Sequence, residues 1–218
     1  MQNYVSYKDI LSQIDLAPGD IVNVSSDVLR LANVCRNNGE KFDPNLFIDS
    51  ILDKVGPKGT VLFPTYYWGF CRGQTFDYRN TGSETGALGK AALKRKDFRR
   101  TKHAIYSFAV WGKDQDYLCQ LNNVSSFAAD SPFGYFYEAK AKNLFVGIDY
   151  KYAFAFVHHI EEIVGVSYRH FKDFTAPYID ERGVQTNATY RMYVRDLSLN
   201  LMTKVNPRMD EVLTENRS

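Results

Sequence analysis

Asp43-Pro44-Asn45-Leu46-Phe47-Ile48-Asp49-Ser50-Ile51-Leu52-Asp53-Lys54-Val55, then Gly56-Pro57-Lys58-Gly59, then Thr60-Val61-Leu62-Phe63-Pro64, is the stretch that decides the fold class. Pro44 suits a first helical turn, where its missing N–H costs nothing. Phe47, Ile48, Ile51, Leu52 and Val55 then recur at helical spacing and form one apolar stripe. The Gly-Pro-Lys-Gly segment closes the helix, and the β-branched and apolar run after it has the length of a buried strand. Upstream, Ile21-Val22-Asn23-Val24 is a second such run, ending at Ser25-Ser26-Asp27 before another probable helix. Strand–helix–strand alternation of this kind predicts an α/β domain with parallel pairs in its sheet.

Working outward, Ser6 to Ile14 reads as a short helix and Gly86 to Lys96 as another. Ile105 to Trp111, Asn143 to Ile148 and Tyr190 to Arg195 read as strands. From Ala176 the pattern loosens, and Lys204 to Ser218 is polar and weakly periodic. No linker or repeat divides the 218 residues, so residues 1–218 are expected to form a single domain with a sizeable core.

Composition excludes more than it assigns. A net charge of +2 is too small to argue for nucleic acid or a membrane surface. No run approaches the roughly 18 apolar residues of a membrane span. The segment Met1 to Asp20 lacks the apolar core of a secretory signal. Cys35, Cys71 and Cys119 form no CxxC pair, so neither a disulfide framework nor a zinc ribbon is expected. A cytoplasmic setting is the resulting expectation. The 15 Tyr and 15 Phe suit a homodimer interface and a core equally.

Chemistry concentrates in Phe156-Val157-His158-His159-Ile160-Glu161-Glu162, which holds two of the four histidines. Residues three apart on a helix are neighbours. A carboxylate at that spacing can accept the imidazole Nδ1–H and leave Nε2 as a base. At about 100° per residue, Val157, Ile160, Ile163 and Val164 would form the buried side. His158 and Glu161 then share its edge, and Glu162 points to solvent. Adjacent histidines diverge too far to share a metal unaided, and no metal is expected. A polar, solvated helix end is the competing reading.

Three further segments qualify. The basic run Lys94 to Lys102 leading to His103 is either a solvated loop or one facing a phosphate. Val24-Ser25-Ser26-Asp27 stands where ligands collect in α/β folds, outside the carboxyl ends of strands, or is a plain helix cap. Cys71, among aromatic residues, reads as a structural thiol rather than a nucleophile.

In order along the chain, several segments resemble the aminoglycoside 3-N-acetyltransferase family. They are Gly19-Asp20-Ile21-Val22-Asn23-Val24-Ser25-Ser26, Val55 to Thr65, Phe76-Asp77 and Ser83-Glu84-Thr85-Gly86. They continue through Arg100-Thr101-Lys102-His103, Ser107 to Gly112, Asp130-Ser131-Pro132-Phe133-Gly134, His158-His159-Ile160-Glu161 and Val166-Ser167-Tyr168-Arg169. The resemblance implies an α/β single-domain layered sandwich, with a mixed, largely parallel central sheet flanked by helices. It implies acetyl-CoA as co-substrate and a primary amine of an amino sugar as acceptor. The family's HxxE motif falls on His158 and Glu161, as base and orienting carboxylate. Ser25, Ser26, Arg100, Thr101, His103 and Ser107 would then face coenzyme A, and Asp77, Asp130 and Tyr66 the acceptor. Three departures accompany it. Ala155 stands where the family usually has Thr, Ala104 where it has Pro, and relatives usually continue for some tens of residues beyond Leu213. The acceptor is expected to be an aminoglycoside or a nucleotide-linked amino sugar, and a catalytically silent member is the alternative.

Overall fold

A computed structural model describes residues 4–200 and 208–215. Chain order is β1 (Ile21–Ser26), α1 (Leu29–Asn37), α2 (Pro44–Val55), β2 (Thr60–Pro64), β3 (Phe76–Asp77), α3 (Ala87–Ala92), β4 (Arg99–Arg100) and β5 (Phe108–Gly112). Then follow α4 (Gln115–Gln120), α5 (Pro132–Glu138), β6 (Lys142–Val146), α6 (Tyr150–Ala153), α7 (Val157–Val164), β7 (Arg169–Ile179), β8 (Gln185–Arg195) and α8 (Arg208–Glu215).

The decisive stretch folds as its pattern requires. Asp43 caps α2 by accepting from the N–H groups of Asn45 and Leu46, at 2.8 and 3.4 Å. All five stripe residues of α2 are buried. β1 and β2, joined through α1 and α2, pair in parallel with Ile21 opposite Thr60.

The central sheet has the order β4-β5-β2-β1-β6. It is mixed, as expected, with its parallel share at half: β1 pairs in parallel with β2 and β6, while β5 is antiparallel to β2 and to β4. Alternation along the strands feeds two buried clusters. Val22, Val24, Val61, Phe63 and Ala109 face α2 and α3, together with Tyr7 and Leu11. Leu62, Phe108 and Val110 face an aromatic layer containing Phe127, Phe133 and Phe136. Fully burying each such side chain stabilises the fold by about 1.5–3 kcal/mol. A second sheet, β3-β7-β8, closes this layer with Ala176, Tyr178, Tyr190 and Tyr193.

Several boundaries differ from the sequence reading. Ser6 to Ile14 gives only a 3-10 turn over Ile10–Gln13. Tyr7 and Leu11 are nonetheless buried. The helix expected to run to Lys96 ends at Ala92, and Arg95 pairs instead with Asp49 and Asp97. β5 starts at Phe108 rather than Ile105, because the N–H groups of Ile105 and Tyr106 bond to the His103 ring instead of a neighbouring strand. Of the polar tail, residues 208–215 are helical, while 204–207 and 216–218 lie outside the described residues. Among the described residues no helix is long and apolar enough to cross a membrane.

Candidate active site

β1, β2 and β6 run parallel, so their carboxyl ends share one edge of the sheet. A cleft of about 370 Å³ opens there, and its wall includes Ser25, Ser26, Pro64, Thr85, Gly86 and Ile148. This is where α/β sheets usually hold ligands. α3 is pulled against the end of β2: a Cβ on Gly89 would come within 2.4 Å of the Pro64 carbonyl oxygen, so only glycine permits the approach. The opposite wall is α6 and the start of α7, with Lys151, Tyr152, Ala155 and His158.

His158 Nδ1 lies 2.6 Å from Glu161 Oε2, the i,i+3 contact that the sequence predicts. Glu161 is held from two more directions. Tyr168 donates its hydroxyl to Oε1 at 2.9 Å, and Arg169 Nε forms an ion pair with Oε2 at 2.8 Å. That Nε lies off the line of a hydrogen bond, while Arg169 Nη1 donates to the Tyr193 carbonyl at 2.9 Å. Burial pushes the Glu161 carboxyl up, but the His158 and Tyr168 bonds and the Arg169 charge outweigh it and hold the group below its usual range. An ionised Glu161 can accept a proton carried on His158 Nδ1, an arrangement in which Nε2 is the free ring nitrogen. The ring is steadied by an edge contact with Phe127, 5.2 Å between centroids.

The orientation of α7 corrects the sequence reading. Ile160, Ile163 and Val164 are exposed, and the buried residues are His159 and Glu161. Gly165 ends the helix in the left-handed conformation, at φ 69°, with its N–H on the Glu161 and Glu162 carbonyls. Glu162, expected at the surface, is half-buried and accepts from the Ser125 hydroxyl at 2.8 and 2.9 Å; burial raises its carboxyl. The buried ring of His159 meets the Phe127 carbonyl through Nδ1 at 2.6 Å.

The other expected residues divide. Ser25, Ser26 and Tyr66 line the cleft with His158. Arg100, Thr101, His103 and Ser107 lie away from its wall, each at most 4% exposed. Arg100 donates to the Ser107 hydroxyl and the Thr65 carbonyl, at 2.9 and 3.0 Å, and stacks over Phe76. Burial lowers its guanidinium to about 10. His103 Nδ1 accepts from Ile105 and Tyr106 N–H at 3.2 and 3.1 Å, and burial lowers its ring to about 3. Asp77 closes its own turn by accepting from Arg79 and Asn80, and Asp130 is exposed; neither lines the cleft. Burial pushes the half-buried Cys71 thiol up to about 11, against a nucleophilic role. Among the described residues no group of three or more His, Cys, Asp or Glu is placed to hold a metal.

Sequence reasoning missed Trp68, Tyr106 and Lys151 on the cleft wall and gave no role to Tyr168 and Arg169. For the last two a signal existed, since they directly follow the helix that carries Glu161.

Several solved structures share this fold. Solved structures similar to the chain include the aminoglycoside acetyltransferase AAC(3)-Xa, 20% identical, with a TM-score of 0.76 and coverage of 96% of this chain and 81% of that one. AAC-IIIb, binary with CoASH, is 19% identical with a TM-score of 0.77 over 96% and 82%. Sisomicin-bound AAC-VIa is 20% identical with a TM-score of 0.73 over 86% and 74%. At these identities the likeness shows the fold. No curated protein matches the chain. The family model for aminoglycoside 3-N-acetyltransferase, however, matches residues 24–215, a span that runs from β1 through the His158–Glu161 pair to α8. With that match over most of its length, the chain belongs to the aminoglycoside 3-N-acetyltransferase family and so to the acyltransferases.

Proposed function

We propose that this protein is an acetyl-CoA-dependent N-acetyltransferase acting on a primary amine of an amino sugar, with His158 as general base. The observation that carries this reading is the 2.6 Å contact between His158 Nδ1 and Glu161 Oε2 on the wall of a cleft. An ammonium group is no nucleophile until it loses a proton. His158 Nε2 takes that proton, directly or through one water, and Glu161 stabilises the imidazolium so formed. The amine then attacks the thioester carbonyl, its nitrogen, now positively charged, releases its second proton to solvent, and the tetrahedral intermediate collapses to the amide. The coenzyme A thiolate leaves and recovers a proton from the imidazolium.

CoASH in the AAC-IIIb structure and sisomicin in that of AAC-VIa support the pairing of a coenzyme A thioester with an amino-sugar acceptor. Ser25 and Ser26, at the carboxyl end of β1, are suited to the thioester arm, and Tyr66 to the acceptor. Ala155 leaves a methyl group where a threonine hydroxyl would reach into the cleft. Two buried clusters sharing one sheet support a single domain. The coenzyme A donor and three free cysteines support a cytoplasmic setting.

His158→Ala is expected to lower kcat by about 100-fold or more while acetyl-CoA still binds by calorimetry. Unchanged turnover would remove His158 from the mechanism. Absence of acetyl-CoA binding to the intact protein would remove the acetyltransferase reading itself.

A further inference from the structure

The charges around the cleft speak to its acceptor. We infer that the acceptor is an amino sugar whose amine is its only cationic group, with a phosphate-bearing substituent, and not a polycationic amino sugar. This rests on the N-acetyltransferase reading above and narrows it.

The first observation is the charge of the wall. Lys151 and His158 are its only ionisable groups apart from tyrosines, and no Asp or Glu lines it among the described residues. Residues 1–3, 201–207 and 216–218 contain no Asp or Glu, so every acidic side chain of the chain is among those described. A ligand with several ammonium groups needs a carboxylate for each one that leaves water.

Carboxylates beside the wall have partners of their own: Asp27, next to Ser26, accepts from the Leu29 N–H at 3.1 Å, and Asp149, next to Ile148, from the Lys151 N–H at 2.9 Å. Glu161 is shared by His158, Tyr168 and Arg169. Glu84, beside the wall residue Thr85, accepts from the Trp68 N–H at 3.0 Å and from Arg72 at 3.2 Å. Asp210 of α8 takes Lys151 at 3.1 Å and the Tyr150 hydroxyl at 2.5 Å. None of these carboxylates lines the wall itself.

A second, independent observation is what the wall does offer. Trp68 and Tyr152, the latter at 87% exposure, line the cleft, with Tyr66 and Tyr106 at 6% and 9% exposure forming its aromatic floor. Aromatic faces suit the apolar face of a pyranose ring. Lys151 is 39% exposed and its partner Asp210 is 56% exposed. An ion pair that open is weak, so Lys151 can turn to a phosphate at little cost. The chemistry fits a sugar phosphate or a nucleotide-linked amino sugar.

The test is thiol release from acetyl-CoA by the whole chain, with four acceptors: a uridine-diphosphate-linked amino hexose bearing a free amine, the amino hexose 1-phosphate, glucosamine and sisomicin. A phosphate-bearing amino sugar is expected to exceed sisomicin in kcat/KM by ~100-fold or more, with glucosamine between them. Lys151→Glu is expected to raise the KM of the phosphate-bearing acceptor ~10-fold and leave that of acetyl-CoA within ~3-fold. Sisomicin acetylated as efficiently as the phosphate-bearing sugars would overturn the inference, as would transfer to none of the three single-amine sugars. An effect of Lys151→Glu confined to the KM of acetyl-CoA would also overturn it, since the lysine would then serve the coenzyme's own phosphates. Transfer to sisomicin alone would leave the N-acetyltransferase reading standing. Failure to bind acetyl-CoA would end that reading and not this one alone.

Discussion

Replacing Glu161 by Gln keeps the shape of the side chain and removes the charge opposite His158. With Nδ1 and Oε2 at 2.6 Å, the pair is in direct contact. Its charge centres are about 4 Å apart, which at an effective dielectric near 20 is worth about 4 kcal/mol to an imidazolium. Two features reduce that figure. His158 is 29% exposed, and Arg169 sits 2.8 Å from the same carboxylate oxygen, drawing part of its field. Halving it leaves ~2 kcal/mol, or ~30-fold in rate. The amide adds a second loss. Its NH2 can donate to Nδ1, which moves the ring proton to Nε2 and leaves no base facing the cleft. A wrong-tautomer penalty of that kind reaches ~10⁴-fold where the orienting carboxylate is buried. For this partly open pair, a total of ~100–1000-fold in kcat is expected, with the KM of acetyl-CoA within ~3-fold of wild type. The assay is steady-state thiol release, run beside urea unfolding, because Arg169 also loses its partner. A folded variant within ~3-fold of wild-type kcat would refute the role given to Glu161. So would a loss carried wholly by KM.

Other expectations follow from the same contacts. Tyr168→Phe removes the 2.9 Å donor to Glu161 Oε1 and should lower both kcat and folding stability, the latter by about 1 kcal/mol; an unchanged kcat would separate Tyr168 from the site. Acid should destabilise the protein well before its carboxylates protonate. Burial lowers His103 to about 3 in the fold, whereas an unfolded histidine titrates near ~6.5. The unfolded chain therefore binds the extra proton first. The stability from a neutral His103 is complete above pH ~6.5 and is lost as pH falls toward ~3, by up to ~5 kcal/mol. Glu161, held below its usual range, adds a loss in the same direction at pH below ~4.3. Urea unfolding at pH 7.5, 5.5 and 4.5 measures the slope, His103→Gln should flatten it, and a wild-type stability constant over that range would contradict the buried neutral ring.

How far the sequence discloses this molecule depends on what each segment packs against. β1, α2 and β2 are legible because apolar pattern, caps and turns all agree, and the core fills both faces of their sheet. β7 is not legible. Its run Arg169 to Ile179 exposes most residues near its start and includes Pro177, so neither alternation nor a continuous apolar run marks it. Its strand character comes from eleven residue pairs with β8, including Asp173 with Arg191 at 2.6 Å and Thr175 with Thr189 at 2.8 Å. Such cross-strand pairs are visible only after the hairpin forms. The basic run misleads for a related reason. Arg95 pairs with Asp49 and Asp97, Arg99 with Asp116 and Lys102 with Glu181, while Arg100 turns inward to carbonyl and hydroxyl acceptors. A run of cations carries no sign, in sequence alone, of the partners that neutralise it.

α7 is the most instructive case, because the contact that spacing predicts forms in spite of a wrong orientation. Spacing alone pairs His158 with Glu161, since i and i+3 are neighbours whichever way the helix faces. The apolar stripe then directs Ile160, Ile163 and Val164 inward, and the fold does the reverse. Its inward side is polar, and each group there has an anchor. His159 meets the Phe127 carbonyl, Glu162 meets Ser125, and Glu161 meets His158, Tyr168 and Arg169. Apart from His158, those anchors come from two other segments of the chain, residues 125–127 and 168–169, which is why no pattern within the helix announces them. Burying a carboxylate is costly unless partners hold it, so a helix with its polar face inward requires that framework beforehand. Cores are organised by hydrophobicity, whereas a base and its carboxylate must sit where water is partly excluded. A conflict between apolar periodicity and burial is therefore what a helix carrying such a pair produces, and here it falls on the helix proposed to carry the general base.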